Sequence, residues 1–363
     1  MPGPASVVEL HEFSDLTIAA PELLACEAQD LFASPAWFGT LHAHGFAADT
    51  PLRLLVAGDR ARGTRLALPL AGAGEVVSLA NYYSSLYAPI TCATDLDPPV
   101  LEAVLRHLRS APGRPATLRF CPLDGAAAFA RALKPALAAA GYLADSYFCF
   151  GNWYLAVDGR SYATVFAGLP AALRNTVQRR ARRLSREGAW SIAIESVGGP
   201  ALEAAIADFT AVYAGSWKDP EPFPRFIPQL CRMAAAQGWL RLGVLKLGTR
   251  PIAAQLWLHH RTKSMIYKLA YDQAFERFSP GSILTAAMLR NAIDIDHATE
   301  VDYLSGDDAY KREWMSHRRS RIGIVAFDPA TPRGLIGAAR HFSAKRLRAW
   351  RYPRATAATA DLG

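Results

Sequence analysis

Cysteine is scarce in this chain, and scattered. The five residues Cys26, Cys92, Cys121, Cys149 and Cys231 are odd in number, widely spaced and never in a C-x-x-C pair. That argues against a zinc site or a disulfide framework, and it fits a reducing cytosol where each thiol is a small buried hydrophobe. No uninterrupted apolar run is long enough to span a bilayer. The opening MPGPASVVELHEF lacks both a basic and an apolar segment, so no secretory signal is expected. A G-x-S-x-G elbow and a GxxxxGK[ST] loop are also missing, which speaks against a hydrolase or a nucleotide triphosphatase. His259 and His260 end a predicted strand, but no Cys or carboxylate stands at metal-ligand spacing from them, so no metal is expected. The expected location is the cytoplasm, in solution or peripheral at the inner face of a membrane.

Apolar mass is what the chain does have. Hydrophobic residues are 51% and aromatics 10% of its 363 positions, so a packed core is expected, and the length favours two ordinary domains. A formal charge of +8 points to acidic or phosphorylated partners. Residues 51–70, PLRLLVAGDRARGTRLALPL, read as a hairpin turning at Gly58, Asp59 and Gly63. Residues 240–258, LRLGVLKLGTRPIAAQLWL, repeat the pattern about a Gly-Thr-Arg turn.

The remaining elements alternate between the two kinds. In the first half, a strand opens residues 76–90, helices cover 98–110 and 126–140, and strands cover 117–121 and 148–157. Pro135 interrupts the second of those helices. In the second half, Ser161 caps a short helix and Pro170 starts a longer one that Gly188 stops. Further helices are predicted over 200–216, 224–237 and 282–293, with strands over 191–196, 265–270 and 301–304. The expected class is α/β, a mixed sheet covered by helices. The boundary falls near Gly151, giving domains 1–150 and 151–328 and a basic amphipathic tail, 329–363.

The stretch from Tyr267 to Trp314 carries most of the chemistry. It runs YKLAYD, then FERFSPGSILTAAML, then EVDYLSGDDAYKREW. A helix opening with Ser279, Pro280, Gly281 and Ser282 has a capping hydroxyl, a proline pre-set for the first turn and a glycine that lets a ligand approach the backbone. Its amides and dipole suit phosphate, although many helices begin this way and bind nothing. The whole stretch resembles the C-terminal part of the FemAB-like and BioF2-like acyltransferases of the Gcn5-related N-acetyltransferase (GNAT) superfamily, with similarity from about Ser161 to Phe327. The resemblance implies tandem GNAT-like domains and transfer of an acyl group to an amine, often in exopolysaccharide or cell-envelope biosynthesis. It leaves donor and acceptor open.

On that resemblance, Ser279, Gly281 and Ser282 hold the phosphates of an acyl-CoA co-substrate. The turn is shorter and less glycine-rich than the usual acetyl-CoA loop. Asp272 and Asp302, at strand ends, are the candidate bases; the plainer reading makes each a solvated or arginine-paired carboxylate. Tyr310 is placed to protonate the leaving group and Lys311 to bind a phosphate or the transition-state oxygen, unless Lys311 only pairs with Asp307 one turn away. Tyr267 and Asp307 are candidate substrate contacts, and strand alternation sends Tyr267 and Lys268 to opposite faces.

Two basic tracts complete the picture. Arg179, Arg182, Arg183 and Arg186 share one helix face, opposite Leu173, Val177, Ala181 and Leu184. That face is either solvated or a site for lipid-linked sugar, glycan or tRNA, with Arg179 and Arg183 as its contacts. Residues 333–354 contain no acid and interleave Leu335, Ile336, Phe342, Leu347 and Trp350. They read equally as an amphipathic helix on an anionic membrane or as a helix packed on the body. The acceptor is expected to be a small-molecule or glycan amine. A tRNA-dependent aminoacyl transferase and a non-catalytic accessory protein of polysaccharide synthesis are the alternatives.

Overall fold

Two hairpins organise the molecule, and each sits in its own compact unit. Unit 1 comprises residues 1–150 and 320–363, and unit 2 residues 151–319. The computed structural model describes residues 6–25, 28–59, 64–92, 96 and 98–351. Cys26, the Gly63 end of the first predicted turn and the tail beyond Arg351 lie outside that set.

Unit 1 opens with β1 (Ser6–Leu10), two short helical turns, α1 (Leu16–Ala19) and α2 (Pro21–Ala25), and α3 (Pro35–Gly45). The predicted hairpin follows as β2 (Leu52–Asp59) and β3 (Thr64–Ala71), paired from Leu52↔Ala71 to Asp59↔Thr64. Next come β4 (Glu75–Ser78), β5 (Ile90–Thr91), α4 (Pro98–Ser110), β6 (Thr117–Asp124), α5 (Ala128–Ala139) and β7 (Leu143–Ala156). Apolar residues recur every three or four positions in α4, which buries Val100, Leu101, Val104, Leu105 and Leu108 against the strands. β1 to β4 pair in antiparallel succession, and β4 pairs with β6 in parallel.

Unit 2 continues with α6 (Tyr162–Gly168), α7 (Ala171–Glu187), β8 (Trp190–Glu195), α8 (Pro200–Ala214), α9 (Phe226–Ala236), β9 (Leu240–Leu247), β10 (Arg250–His260), β11 (Lys263–Tyr271), α10 (Pro280–Arg290), β12 (Glu300–Asp302) and α11 (Ala309–Trp314). The Ser161 hydroxyl caps α6 by accepting from the Thr164 amide. β8 to β11 form an antiparallel run, β11 pairs with β12 in parallel, and β12 pairs with the end of β7. The core joins Leu173, Val177 and Leu184 of α7 to Ile283, Leu284 and Met288 of α10 over Leu245, Ala253, Trp257 and Ile266 of the sheet. Gly243 of β9 leaves the space that Met288 and Leu284 fill.

The chain then returns to unit 1 with β13 (His317–Phe327) and α12 (Pro332–Arg351). The expected C-terminal domain ran on to 328; the structure assigns residues from Ser320 onward to unit 1, because β13 pairs with β6 from Arg321↔Asp124 to Phe327↔Thr117. The expected separate tail is likewise a helix of unit 1, seated through Ala338 and Phe342. Each unit is therefore a mixed sheet flanked by helices, and the two share one strand logic: four antiparallel strands, a parallel fifth and an antiparallel sixth. The expectation of buried thiols holds for Cys231 but not for exposed Cys92 or the half-buried Cys121 and Cys149.

Candidate active site

The parallel ladder of unit 2 is short. β12 pairs with β11 only from Lys263↔Glu300 to Met265↔Asp302, whereas β11 runs on to Tyr271. Beyond Asp302 the chain turns to the β7 strand, where the Tyr303 amide donates to the Trp153 carbonyl at 2.9 Å. The far half of β11 is thus left without its parallel partner, and three segments meet around it: the first turn of α10, the residues after α8, and residues 303–314.

The α10 turn departs from expectation in detail. Ser279 adopts a left-handed conformation, φ +47°, and its hydroxyl makes no capping bond. Its amide donates to the Glu276 carbonyl at 2.8 Å, and the Ser282 and Ile283 amides donate to the Ser279 carbonyl at 3.0 and 3.2 Å. The cradle of amides expected for phosphate therefore reduces, among the described residues, to the Gly281 amide. Arginines gather at the residues just before it. The guanidinium groups of Arg183 and Arg277 lie 5.4 and 4.7 Å from the centroid of the Phe278 ring, and Arg180 donates to the Arg277 carbonyl at 2.7 Å. Arg179 is exposed and takes no part in these contacts. Arg180 and Arg277 were missed in sequence because only the tertiary packing of α7 on α10 brings them to the turn.

A buried polar chain backs the turn. Trp257 Nε1 donates to Gln255 Oε1 at 2.8 Å; Gln255 Nε2 donates to Thr285 Oγ1 at 2.8 Å and to the Gly281 carbonyl at 3.0 Å. Thr285 also donates to that carbonyl, at 2.9 Å, and hydrogen-bonds the hydroxyl of Tyr303. Burial first, and Tyr310 second, keep the Tyr303 phenol protonated by raising its pKa. Position 281 admits no side chain freely, since a Cβ there would meet the Tyr271 ring at 3.3 Å.

Neither predicted base is placed to act as one. Asp302 is 0% exposed. Its Oδ1 accepts from Asn152 Nδ2 at 2.5 Å and the Leu304 amide at 2.6 Å, and its Oδ2 is held by Arg319 and, at 3.1 Å, by Lys263. Arg319 also reaches Glu300 at 2.7 Å and Asn152 Oδ1 at 2.6 Å. A carboxylate so engaged anchors the end of β12 and has no path to a substrate. Asp272 caps the turn before α10 by accepting from the Ala274 amide at 3.0 Å, and it pairs with Arg250 at 2.7 Å. Both are structural for the same reason: a strand end is where a carboxylate finds amides and cations as well as where it can meet a ligand.

The loop after β12 places its residues differently from one another. Asp307 accepts from Arg318 at 2.5 and 2.8 Å and from Trp153 Nε1 at 2.9 Å, and the Arg318 bond leads in lowering its pKa. Lys311 is buried; it donates to the Ser305 carbonyl and pairs with Asp308, not Asp307, at 3.1 Å. Its ammonium also lies 5.6 Å from the centroid of the Tyr303 ring. Tyr310 stacks edge-on against Tyr303, and desolvation, then the charge of Asp308, raises its pKa. Tyr267 is half-buried on β11, alternating with Lys268.

Opposite this loop stands a group that sequence reasoning passed over. Lys218 lies 5.7 Å from the ring centroids of both Tyr213 and Trp217. Burial, then the charge of Lys268, lowers its pKa to about 8; Lys311 adds to that lowering, while the carboxylates of Glu221 and Asp308 oppose it. Lys268 itself pairs with Glu221 at 2.7 Å, and Glu221 Oε2 is buried without a hydrogen-bond partner. Trp217 packs on Tyr271 with centroids 4.7 Å apart, which links this lysine group to Gly281 through one ring. The W-K pair after α8 was visible in sequence, but nothing local distinguishes a half-buried lysine from a solvated one.

A separate cavity of about 250 Å³ opens in unit 1 beside Tyr87 and Phe129. Its carboxylates are committed elsewhere, Asp30 to the Phe32 amide and Asp124 to Arg321. Among the described residues no group of His, Cys, Asp and Glu could hold a metal ion, and no helix is long and apolar enough to cross a membrane.

Comparison with known proteins places this geometry. Residues 171–312 match the family model of an acetyltransferase (GNAT) domain. No curated protein matches. Among solved structures, FemX superposes with a TM-score of 0.57 at 11% identity, over 88% of this chain and 96% of its own. A tandem GNAT protein from the clavulanic acid biosynthesis pathway gives 0.51 at 12%, over 88% and 98%. The C-terminal domain (DUF2156) of a protein provisionally named a lysylphosphatidylglycerol synthetase, from Agrobacterium fabrum, gives 0.52 at 9%, over 86% and 92%. At such identities these likenesses establish the fold alone. Residues 171–312 thus match a GNAT acetyltransferase domain, and the chain as a whole shares the fold of a tandem GNAT protein and of FemX.

Proposed function

We propose that unit 2 transfers an acyl group from an acyl-coenzyme A to an amine acceptor. The observation that carries this reading is the convergence, inside the matched domain, of the open half of β11 with Gly281, Lys218, Tyr310 and Lys311. The donor's phosphates would lie at the Gly281 amide with Arg183 and Arg277, and its acyl arm along the unpaired half of β11. An acceptor amine reaches the enzyme as an ammonium and must lose a proton before it can attack. Lys218, with a pKa of about 8, is the group able to take it. The amine nitrogen then bonds to the thioester carbonyl carbon as the C–S bond breaks. Tyr310, kept protonated by its raised pKa, supplies a proton to the leaving thiolate and recovers one from the attacking nitrogen. Lys311 fixes the loop through Ser305 and Asp308 and places positive charge beside the developing oxyanion.

The acceptor class this suggests is a small-molecule or glycan amine of surface-polysaccharide or envelope synthesis. A second reading, acyl transfer from aminoacyl-tRNA, is favoured by one observation: the exposed arginine face of α7 next to the donor turn. Calorimetry with acetyl-CoA, longer acyl-CoAs and aminoacyl-tRNA separates the two. Acyl-CoA binding is expected, reduced at least about tenfold in Gly281→Asp because a carboxylate would face the phosphates. Gly281→Ala controls for the Tyr271 contact and should fall much less. No heat with any acyl-CoA, with protection of aminoacyl-tRNA from hydrolysis, would establish the second reading. Binding of neither, with unchanged pathway output in Lys311→Ala, would leave an accessory protein.

A further inference from the structure

The long helix that closes unit 1 is amphipathic in an unusual sense, because it is apolar on both sides. Its inner side is accounted for. Ala338 is buried, Phe342 packs against it with Phe327, and His341 and Lys345 grip the carboxylate of Asp145 at 2.8 and 2.7 Å. The outer side carries a second apolar stripe. Leu335 is 55% exposed, Ile336 53%, Leu347 47% and Trp350 80%. With exposed Ala339 and Ser343 between them, these residues follow at intervals of three and four, so they form one continuous line along the helix. A soluble protein has no packing reason to hold a tryptophan and three large aliphatic side chains in water along one line.

The charges beside the stripe are all of one sign. Exposed Arg340 and Arg346 flank it, and Arg333 and Arg351 stand further round the same outer side. The helix sequence PRGLIGAARHFSAKRLRAWR has no Asp or Glu at all. An outer face of Leu, Ile and Trp bordered by arginine, with no acid to repel phosphate, is complementary to the headgroup and acyl boundary of an anionic bilayer. Tryptophan is the side chain that prefers that boundary, its ring in the apolar layer and its N–H toward water. We propose that the outer face of α12 is a docking surface for a membrane rich in anionic phospholipid, on which the protein lies peripherally while the inner face stays seated on unit 1.

The test is co-sedimentation of the full-length chain with vesicles of phosphatidylcholine alone or mixed with phosphatidylglycerol. Binding is expected only to the mixed vesicles and should weaken as salt rises, since the arginine contribution is screened. Arg340→Gln with Arg346→Gln should reduce partitioning about fivefold per residue at low salt. Ile336→Ser with Trp350→Ser should reduce it at every salt concentration, because those residues act through burial. None of these positions touches the inner face, so circular dichroism and the unfolding midpoint should stay as in the wild type. Equal binding to both vesicle types, no sedimentation with either, or variants that bind like the wild type would overturn the proposal. So would light scattering that shows a dimer lost in Ile336→Ser with Trp350→Ser, or RNA binding lost in the arginine variant without vesicle binding.

Discussion

Lys218 and Asp302 show how little a side chain's type says about its work. Both are ionisable residues in unit 2, yet one is a solvated-looking lysine whose amine is made neutral enough to act and the other an acid made too secure to act. Burial and the neighbouring Lys268 lower the Lys218 pKa to about 8. Only the neutral amine can accept a proton, so kcat/KM should rise with pH and level off above about 8. Lys218→Met should lose about 10²- to 10⁴-fold in kcat/KM together with that limb of the profile. Lys218→Arg should do the same, since a guanidinium stays charged. A profile whose limb persists in Lys218→Met would place the base elsewhere. Asp302 predicts the opposite kind of result. Asp302→Asn leaves Arg319 and Lys263 facing a neutral amide in a fully buried site, a loss on the order of 3–5 kcal/mol in urea unfolding. Were Asp302 the base, activity would fall with stability unchanged. Sequence pattern singled out Asp302 as a candidate base from its place in a strand, but its partner Asn152 lies 150 positions away. No local rule carries that information.

At the level of single elements, the turn into α10 balances local strain against tertiary hold. A non-glycine residue in the left-handed region costs about 1–2 kcal/mol, and Ser279 bears that cost at φ +47°. The position is fixed by what surrounds it: Phe278 buried on one side, and on the other the Gly281 carbonyl accepting from Gln255 and Thr285. Ser279→Gly removes the strain but adds freedom to the unfolded chain, so its stability should stay within about 1 kcal/mol of wild type or rise slightly. Ser279→Val, β-branched and ill-suited to that region, should lose roughly 1–2 kcal/mol in the same unfolding measurement. Equal stability for the valine variant would mean that the turn rearranges at no cost. The existence of this turn was legible, because Pro-Gly after a strand and before a helical pattern has few other readings. Its hydrogen bonding was not. A serine before proline suggests a capping hydroxyl, and only the backbone conformation shows that the Ser279 carbonyl closes the first turn instead. The hairpins, α7 and α10 were readable for the same reason, since each writes its period into contiguous residues.

Across the whole chain, the two strands that complete the sheets are exchanged in sequence. β7 follows unit 1 and its end pairs with β12 of unit 2; β13 follows unit 2 and pairs with β6 of unit 1. This is why a boundary drawn near Gly151 from the order of predicted elements does not describe where the chain finishes. The run IGIVAF looked like the close of the second domain, and its partner, β6, lies some two hundred positions earlier. The exchange has a consequence for truncation. A chain ending at Ser316 lacks Ile324, Val325 and Phe327 from unit 1, leaves the edge of β6 unpaired, and removes Arg319 from Asp302 in unit 2. An open edge with an apolar face is an aggregation template. A chain ending at Thr331 keeps β13 and loses only α12, which strips Asp145 of His341 and Lys345 and uncovers Phe327. Size-exclusion chromatography and urea unfolding should therefore separate the two. The chain ending at Thr331 is expected to be monomeric and cooperative with a lowered midpoint, and the chain ending at Ser316 to aggregate. Asp145 adds a pH signature, because burial raises its pKa but Lys345 and His341 outweigh that and hold it below the ordinary aspartate range. A depressed folded pKa gives stability that is complete above the unfolded value and lost as pH falls through the folded one. The midpoint difference between the full chain and the Thr331 truncation should accordingly shrink in acid. A gap that stays constant with pH would mean that α12 holds to unit 1 through its apolar contacts alone.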